Sequence, residues 1–145
     1  MPLSKRMKYE YEVFGDDFSK AGLASQDIKK KLQQLGVPIV TVKRTAIAMF
    51  EAEINMVIHA HGGKASVEIT DGKITILMED SGPGIPDIDK AMEPGFSTAT
   101  EEARNLGWGA GMGLPNMKRN SDFLKVESTV GVGTKVTMEI KIADA

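Results

Sequence analysis

The sequence predicts one α+β domain, a two-layer α/β sandwich in which helices cover one face of a mixed, mostly antiparallel sheet. Two observations support this: alternation of period 2 marks strands near both ends of the chain, while two long segments between them have helical periodicity. A third is that short turns join neighbouring strands locally. The 145 residues, 41% of them hydrophobic, suit a single core, so residues 1–145 are expected to form one domain.

The N-terminal half is predicted to hold one strand and two helices. "MKYEYEVFG" (7–15) alternates in period 2. Apolar residues at steps of three and four predict a helix over about 17–35, which Gly36 and Pro38 end. A second helix is predicted over about 41–61. Its expected apolar stripe comprises Ile47, Phe50, Ile54, Val57 and Ile58.

The C-terminal half is predicted to hold two hairpins. Asp71-Gly72 separates "KASVEI" from "KITILM" and is a strong signal for a tight turn. Gly131-Val132-Gly133 separates "FLKVEST" from the last strand. Between the hairpins we expect a short helix near Pro86-Asp87 and another over roughly 111–121.

Composition excludes several classes of function. A net charge of −2 and a pI near 5.7 provide no long-range attraction to nucleic acid or to an anionic membrane. Without cysteine there is no disulfide framework and no thiolate nucleophile, and no apolar run approaches the about 20 residues of a membrane span. We expect a cytoplasmic protein without nucleic-acid or membrane partners, and a flexible basic tail at residues 1–7.

The second helix carries polar residues on one line. Glu51, Asn55 and His59 are spaced at i, i+4 and i+8, so they stack along one side of the helix. A solvated helix edge is one interpretation. Asparagine has a poor helix propensity, however, and a glutamate and an asparagine one turn apart could together hold a hydrated Mg²⁺ and an attacking hydroxyl or water.

An acidic residue ends the strand "KITILM". Asp80 continues its buried face, where a carboxylate is costly unless it receives hydrogen bonds. It could cap the following "SGPG" turn, or accept a hydrogen bond from a ligand amine. Gly82 and Gly84 would let the backbone approach such a ligand closely.

Alternate glycines precede the predicted helix over 111–121. Backbone N–H groups of a glycine-rich loop, continued into a helix N-terminus, can bind phosphates, although a loop without a ligand can have the same composition. The run is not a Walker loop, because no Gly-Lys-Ser/Thr follows, and it is not a dinucleotide fingerprint. It comprises Gly107, Gly109, Gly111 and Gly113.

These motifs, in this order, resemble the Bergerat-fold ATP-binding domain of the GHKL superfamily. They are Glu-x-x-x-Asn on a helix, Asp-x-Gly-x-Gly at a strand end, a glycine-rich loop and a Gly-Thr that enters the last strand. The chain is most similar to the stand-alone anti-sigma-factor and switch-protein serine kinases. The resemblance extends from about residue 8 to about residue 142.

The resemblance implies a role for each motif. Glu51 would be the general base and Asn55 the Mg²⁺ ligand. Asp80 would bind the adenine amino group, and a water and Thr134 would complete the adenine contacts. Residues 93–108 would be the ATP lid. The residues that shape the adenine pocket and contact the phosphates would be Gly82, Gly84, Gly109, Gly111, Met112, Gly113 and Leu114.

Three further residues are candidates. His59 shares the face of Glu51 and Asn55, with a structural hydrogen bond as the alternative. Lys90 could reach a phosphate, with a solvated lysine as the alternative. Sporulation-type anti-sigma kinases carry an arginine suited to the γ-phosphate at the position of Gly109, and Arg104 could substitute for it.

The resemblance implies a serine kinase that binds ATP or ADP with Mg²⁺ and phosphorylates a small STAS-type antagonist protein. A sigma factor as a second partner and a homodimer are further implications. The alternative is a nucleotide-gated protein that binds a sigma factor or another regulator and transfers phosphate slowly or never. Gly109 favours the alternative, whereas Glu51 and Asn55 favour the kinase.

Two other functions are less expected. The catalytic domain of a histidine kinase would need a helical hairpin that carries the phospho-accepting histidine, and the short segment before the predicted core leaves no room for one. An α/β sandwich that binds no ligand would leave four ordered motifs unexplained.

Overall fold

The computed structural model describes residues 7–15, 18–60, 62–93 and 113–142. The elements are β1 (Met7–Phe14), a 3₁₀ turn (Phe18–Lys20), α1 (Leu23–Gln34), α2 (Ile39–His59), β2 (Gly62–Thr70), β3 (Lys73–Asp80), α3 (Ile88–Ala91), α4 (Gly113–Arg119), β4 (Phe123–Thr129) and β5 (Gly133–Lys141). The five strands form one sheet in the order β1-β2-β3-β5-β4, and every neighbouring pair is antiparallel. No helix within the described ranges is long and apolar enough to cross a membrane.

The core lies between the helices and one face of the sheet. Helix α2 contacts β1, β2, β3 and β5, and it also packs against α1 and α4. In the central row of the sheet, Val67 lies opposite Ile76 and Ile76 opposite Met138, all with no exposed surface. The predicted two-layer α+β sandwich is therefore confirmed, with the refinement that the described sheet is wholly antiparallel.

The other face of the sheet carries a row of alternating charges. Glu12 lies opposite Lys64, Lys64 opposite Glu79, Glu79 opposite Lys135, and Lys135 opposite Glu127. All five side chains are exposed. Opposite charges directly across neighbouring strands attract, whereas like charges repel. This outer row, which we call the charge ladder, therefore favours the observed register on all five strands.

Helix α1 is shorter at its start than the periodicity predicted. Gly22 has φ of +92°, a left-handed conformation that separates the 3₁₀ turn from the first residue of α1. At the other end Gly36, with φ of +78°, donates its N–H to the Gln33 carbonyl, and Val37 donates to the Leu32 carbonyl. These two bonds satisfy carbonyls that the helix leaves unpaired, so the predicted stop at Gly36 is confirmed.

Helix α2 begins directly after Pro38 and ends at His59, and Gly62 and Gly63 are the first residues of the next strand. The predicted apolar stripe is partly wrong, because Ile47 is 44% exposed. Small and β-branched residues outside the predicted stripe are buried as well. They include Val42, Thr45, Ala48 and Ala52, whereas Ile54 and Val57 of the predicted stripe are buried as expected.

A buried carboxylate joins α2 to α1. Glu53 is 2% exposed, and its two oxygens accept hydrogen bonds from three backbone N–H groups at the start of α1. These donors are Gly22 at 2.9 Å, Ala24 at 3.2 Å and Ser25 at 3.1 Å. The first N–H groups of a helix have no partner within it and attract negative charge. Glu53 therefore takes the place of a capping residue, which Gly22 cannot be through its own side chain.

Glutamates 51 and 53 on α2 provide a matched test of this cap. We expect Glu53→Ala to lower the free energy of unfolding by about 3 kcal/mol, because it leaves buried N–H groups without acceptors. Glu51→Ala, on the same helix, should change it by less than about 1 kcal/mol, because the Glu51 carboxylate receives one long hydrogen bond. Urea unfolding of both variants measures the difference. Equal losses would contradict the capping role.

Candidate functional site

A polar row ends the buried face of the sheet. Asp80 lies opposite Thr134, and Thr134 lies opposite Ser128, one pleat beyond the buried pair Met78 and Val136. Asp80 is half-buried there. The register of β3, β5 and β4 thus brings a carboxylate and two hydroxyls together at the rim of the core.

One oxygen of Asp80 is fixed by the backbone. Its Oδ1 accepts hydrogen bonds from the Gly82 N–H at 2.9 Å and the Thr134 N–H at 3.2 Å. Among the described residues none donates to Oδ2. Asp80 therefore does cap the turn that follows β3, and the same two bonds orient its second oxygen as an acceptor that is free for a ligand.

Missing side chains make room around Asp80. A Cβ at Gly133 would lie 2.1 Å from the Asp80 carbonyl oxygen, and a Cβ at Gly82 would lie 2.6 Å from the Ala60 Cβ. Real Cβ atoms do not approach other atoms so closely. The first position also has φ of +148°. Glycine is thus required at both 82 and 133. The close approach of Gly82 to Ala60 also places the Asp80 carboxylate near the C-terminal end of α2.

The loop after β3 is tied to the β4–β5 hairpin. The Gly131 N–H donates to the Pro83 carbonyl at 2.9 Å, and the Ile85 N–H donates to Ser128 Oγ at 2.7 Å. Ser128 Oγ also lies 2.8 Å from Thr134 Oγ1. Gly84, with φ of +82°, lies against the Thr129 carbonyl. Ser128 thus joins the loop to Thr134, a role that only the strand register reveals.

Helix α4 packs along the polar line of α2. Asn116 Nδ2 donates to Glu51 Oε1 at 3.4 Å. A Cβ at Gly113 would lie 2.9 Å from Asn55 Oδ1 and 3.0 Å from its Nδ2, so the Asn55 amide occupies the space beside this glycine. The two helices are therefore antiparallel, and α4 covers both members of the Glu-Asn pair.

Burial changes the titration of two groups on this line. Partial burial raises the pKa of Glu51 above its ordinary value, because the charged carboxylate loses hydration, and the hydrogen bond from Asn116 acts in the opposite direction. Burial lowers the pKa of His59, which favours its neutral form. His59 is half-buried and has an interaction partner. A carboxylate of raised pKa is a better proton acceptor than an exposed one.

The site follows α2 over about two and a half turns. Gly82 and Asp80 lie beside Ala60, Gly113 lies beside Asn55, and Asn116 contacts Glu51. At a rise of about 1.5 Å per residue, positions 51 and 60 are about 13 Å apart along the helix. An acceptor at the strand end and a carboxylate near mid-helix thus mark the two ends of an elongated site.

Some of the other predicted site residues lie within the described ranges, and some lie outside them. Leu114 is 6% exposed and belongs to the core. Lys90 lies on the exposed side of α3, and its N–H donates to Asp87, which caps that helix. Of the predicted lid at 93–108, only residue 93 lies within the described ranges. The predicted residues outside them are Arg104, Gly109, Gly111 and Met112.

The described ranges contain no cluster of three or more His, Asp or Glu side chains suited to a metal ion. A Mg²⁺ ion held mainly by phosphate oxygens and water does not need one. The Asn55 amide is half-buried beside Gly113 and makes no hydrogen bond to another described residue. One amide oxygen at this position fits a magnesium ion that a nucleotide brings with it.

The chain belongs to the family of histidine kinase-, DNA gyrase B- and HSP90-like ATPases, whose family model matches residues 42–144. This range includes α2 from residue 42 onward, the strand-end acid, α4 and the last hairpin, and thus every part of the candidate site. The predicted superfamily is confirmed.

Its relatives are regulatory proteins. The chain is 43% identical to the anti-sigma F factor of Caldanaerobacter subterraneus subsp. tengcongensis, over 72% of this chain and 73% of that one. It is 39% identical to the serine/threonine-protein kinase RsbT of Bacillus subtilis, over 72% and 75%. The anti-sigma F factor of Clostridium acetobutylicum is 38% identical over 97% and 96%. The resemblance to the stand-alone branch of the superfamily is thus confirmed.

Solved structures show the same fold. A crystal structure of the RsbU and RsbW domains of a Mycobacterium tuberculosis protein matches with a TM-score of 0.66 at 13% identity. That match covers 96% of this chain, which spans about a third (33%) of the solved chain. The mycobacterial sensor histidine kinase MprB matches with a TM-score of 0.53 at 15% identity and is covered completely, 96% and 100%.

The contact between Gly113 and Asn55 can be tested by a double-mutant cycle. Gly113→Ala places a methyl group where the Asn55 amide lies. We expect this change to be about 1 kcal/mol less favourable in the wild-type protein than in an Asn55→Ala background, where the space is open. Chemical unfolding of the four proteins gives the coupling free energy. A coupling near zero would mean that the two residues do not meet.

Proposed function

We propose that the protein binds ATP with Mg²⁺ and transfers the γ-phosphoryl group to a serine of a small STAS-type regulatory protein in the cytoplasm. The observation that carries the proposal is the Glu51–Asn55 pair, one turn apart on α2 and covered by the helix that follows the glycine-rich segment. Membership of the ATPase family and similarity to an RsbT kinase support it.

Asp80 would bind the adenine. Because its Oδ1 is held by two N–H groups, Oδ2 points to one place and can accept from the exocyclic amine of adenine. The Thr134 hydroxyl lies on the same row and is positioned by Ser128. Gly82 and Gly84 form the neighbouring backbone, where side chains have no room.

The phosphates would lie near Asn55 and the start of α4. Bound Mg²⁺ would neutralise charge on the phosphate oxygens, with the Asn55 amide oxygen as its protein ligand. The amides of Gly109, Gly111 and Gly113 would contact the same oxygens. Ordered donors of this kind stabilise charge that develops as the phosphoryl group moves.

Glu51 would accept the proton of the attacking hydroxyl. As the serine Oγ forms its bond to the γ-phosphorus, the bond from that phosphorus to the β-γ bridging oxygen breaks and ADP leaves. The serine proton passes to the Glu51 carboxylate. The raised pKa of Glu51 suits this role, and with water in place of serine the same arrangement would hydrolyse ATP.

A second function is a nucleotide-gated binder of a sigma factor or another regulator, with little or no phosphoryl transfer. Gly109 favours it, because sporulation-type kinases carry an arginine there. Several relatives are named anti-sigma factors without mention of a kinase. Nucleotide binding by Asp80 is common to both functions, whereas only the kinase needs Glu51 as a base.

The adenine role is tested by Asp80→Asn. The asparagine can keep the two backbone hydrogen bonds through Oδ1, so the fold should persist. An NH₂ group replaces Oδ2, however, and we expect ATP and ADP affinity to fall about 100-fold. Isothermal titration with Mg²⁺ present measures it. Glu79→Gln, on the exposed face of the same strand, is the control, and unchanged affinity in Asp80→Asn would reject the assignment.

Phosphoryl transfer is tested with γ-labelled ATP and Mg²⁺, with and without an extract of the cells that produce the protein. We expect label on one small protein, and we expect Glu51→Ala to reduce labelling at least about 100-fold while nucleotide affinity stays within about twofold. Nucleotide binding without labelling of any protein would instead support the gated binder.

A further inference from the structure

We propose that Asn116 is a positioning residue for Glu51, and that its side-chain amide holds the carboxylate toward the acceptor hydroxyl. The inference rests on the proposed function, in which Glu51 is the base. Asn116 is absent from the motifs that define the family resemblance, and its role depends on the packing of α4 against α2.

The direction of the amide is determined by its two neighbours. Asn116 Nδ2 lies 3.4 Å from Glu51 Oε1, and Asn116 Oδ1 lies 3.4 Å from Arg119 Nη1. A guanidinium can only donate hydrogen bonds, so it must meet the amide oxygen. The NH₂ end therefore faces the carboxylate. Both contacts are long, as is common for catalytic hydrogen bonds before the substrate is bound.

Helix α4 holds Asn116 in place. The backbone carbonyl of Asn116 accepts from the Asn120 side chain at 2.9 Å and from the Asn120 N–H at 3.1 Å. The next residue, Met117, has no exposed surface and anchors the helix in the core. Gly113, three residues before Asn116 on the same helix, lies against the Asn55 side chain. Helix α4, which contacts both Glu51 and Asn55, thus holds the Asn116 amide in a fixed position.

Asn116 is the one described residue that makes a hydrogen bond to Glu51. Burial is the main cause of the raised pKa of Glu51, the Asn116 bond opposes it, and no charged side chain of the described ranges contributes. A carboxylate that is half-buried and has one partner would sample several rotamers if that partner were removed. Loss of alignment between a base and its proton lowers the rate of transfer rather than substrate binding.

The test measures steady-state hydrolysis of γ-labelled ATP, with water as the acceptor, and ATP affinity by calorimetry. We expect Asn116→Ala to lower kcat about 10-fold with ATP affinity unchanged within about twofold, and Asn116→Gln, which keeps the donor, to restore part of the rate. Alanine has the higher helix propensity, so the variant should fold. Lys118→Ala, at an exposed position of the same helix, should keep the wild-type kcat.

A Glu51→Gln background separates positioning from a structural effect. If Asn116 acts through Glu51, Asn116→Ala should change the residual rate by less than about twofold in that background. A further 10-fold loss there would show that Asn116 acts through the fold, and would overturn the proposal. An unchanged kcat in Asn116→Ala alone would also overturn it.

The failure of the inference and the failure of the proposed function give different results. If the wild-type protein turns over ATP and Glu51→Gln strongly lowers turnover, but Asn116→Ala has no effect, the inference is wrong and the function stands. If the wild-type protein binds Mg²⁺-ATP but neither hydrolyses it nor labels a protein in the cell extract, the transferase function fails, and the inference fails with it.

Discussion

The capping of α1 by the Glu53 carboxylate is the interaction on which the arrangement of the helices depends. Three backbone N–H groups at the start of α1 donate to it, so the first helix is fixed to the middle of the second. Helix α2 in turn contacts four of the five strands and α4. Because Glu51 and Asn55 lie within two residues of Glu53, the structural acid and the functional pair share the same rigid stretch of helix.

The candidate site is assembled from three supports that each bring one part. The end of β3 provides Asp80, α2 provides Glu51 and Asn55, and α4 provides Asn116. All three supports also contribute residues to the hydrophobic core. Positions of polar groups are therefore determined by the same packing that stabilises the fold, which is the condition for precise alignment of reacting groups.

Local chemistry was sufficient to predict much of the fold. Asp71-Gly72 predicted a tight turn and Gly36 predicted a helix end. Both predictions depend on the backbone conformation of one glycine, and both glycines have positive φ. Period-2 alternation likewise placed Asp80 on the buried face of its strand. The predicted family followed from motifs of this local kind, together with their order.

Tertiary packing determined what the sequence could not predict. Glu51 and Glu53 look alike in the sequence, and only the contact with α1 shows that one is a cap. Ile47 belonged to the predicted stripe but lies exposed, whereas the smaller residues Ala48 and Ala52 are buried. Ser128 and Asn116 reach the site through strand register and helix packing, which leave no signal along a single segment.

The charge ladder on the outer face of the sheet has a consequence for the opposite face. A slip of one residue between strands would turn the core residues outward, so burial forbids it. A slip of two residues keeps the faces but removes the pairing of Glu79 with Lys64 and with Lys135. The solvent-facing charges thus favour one register of the strands over a slip of two residues. That register places Asp80 opposite Thr134 and Thr134 opposite Ser128. The charged side chains therefore help to align these three polar residues, although they lie on the other face of the sheet.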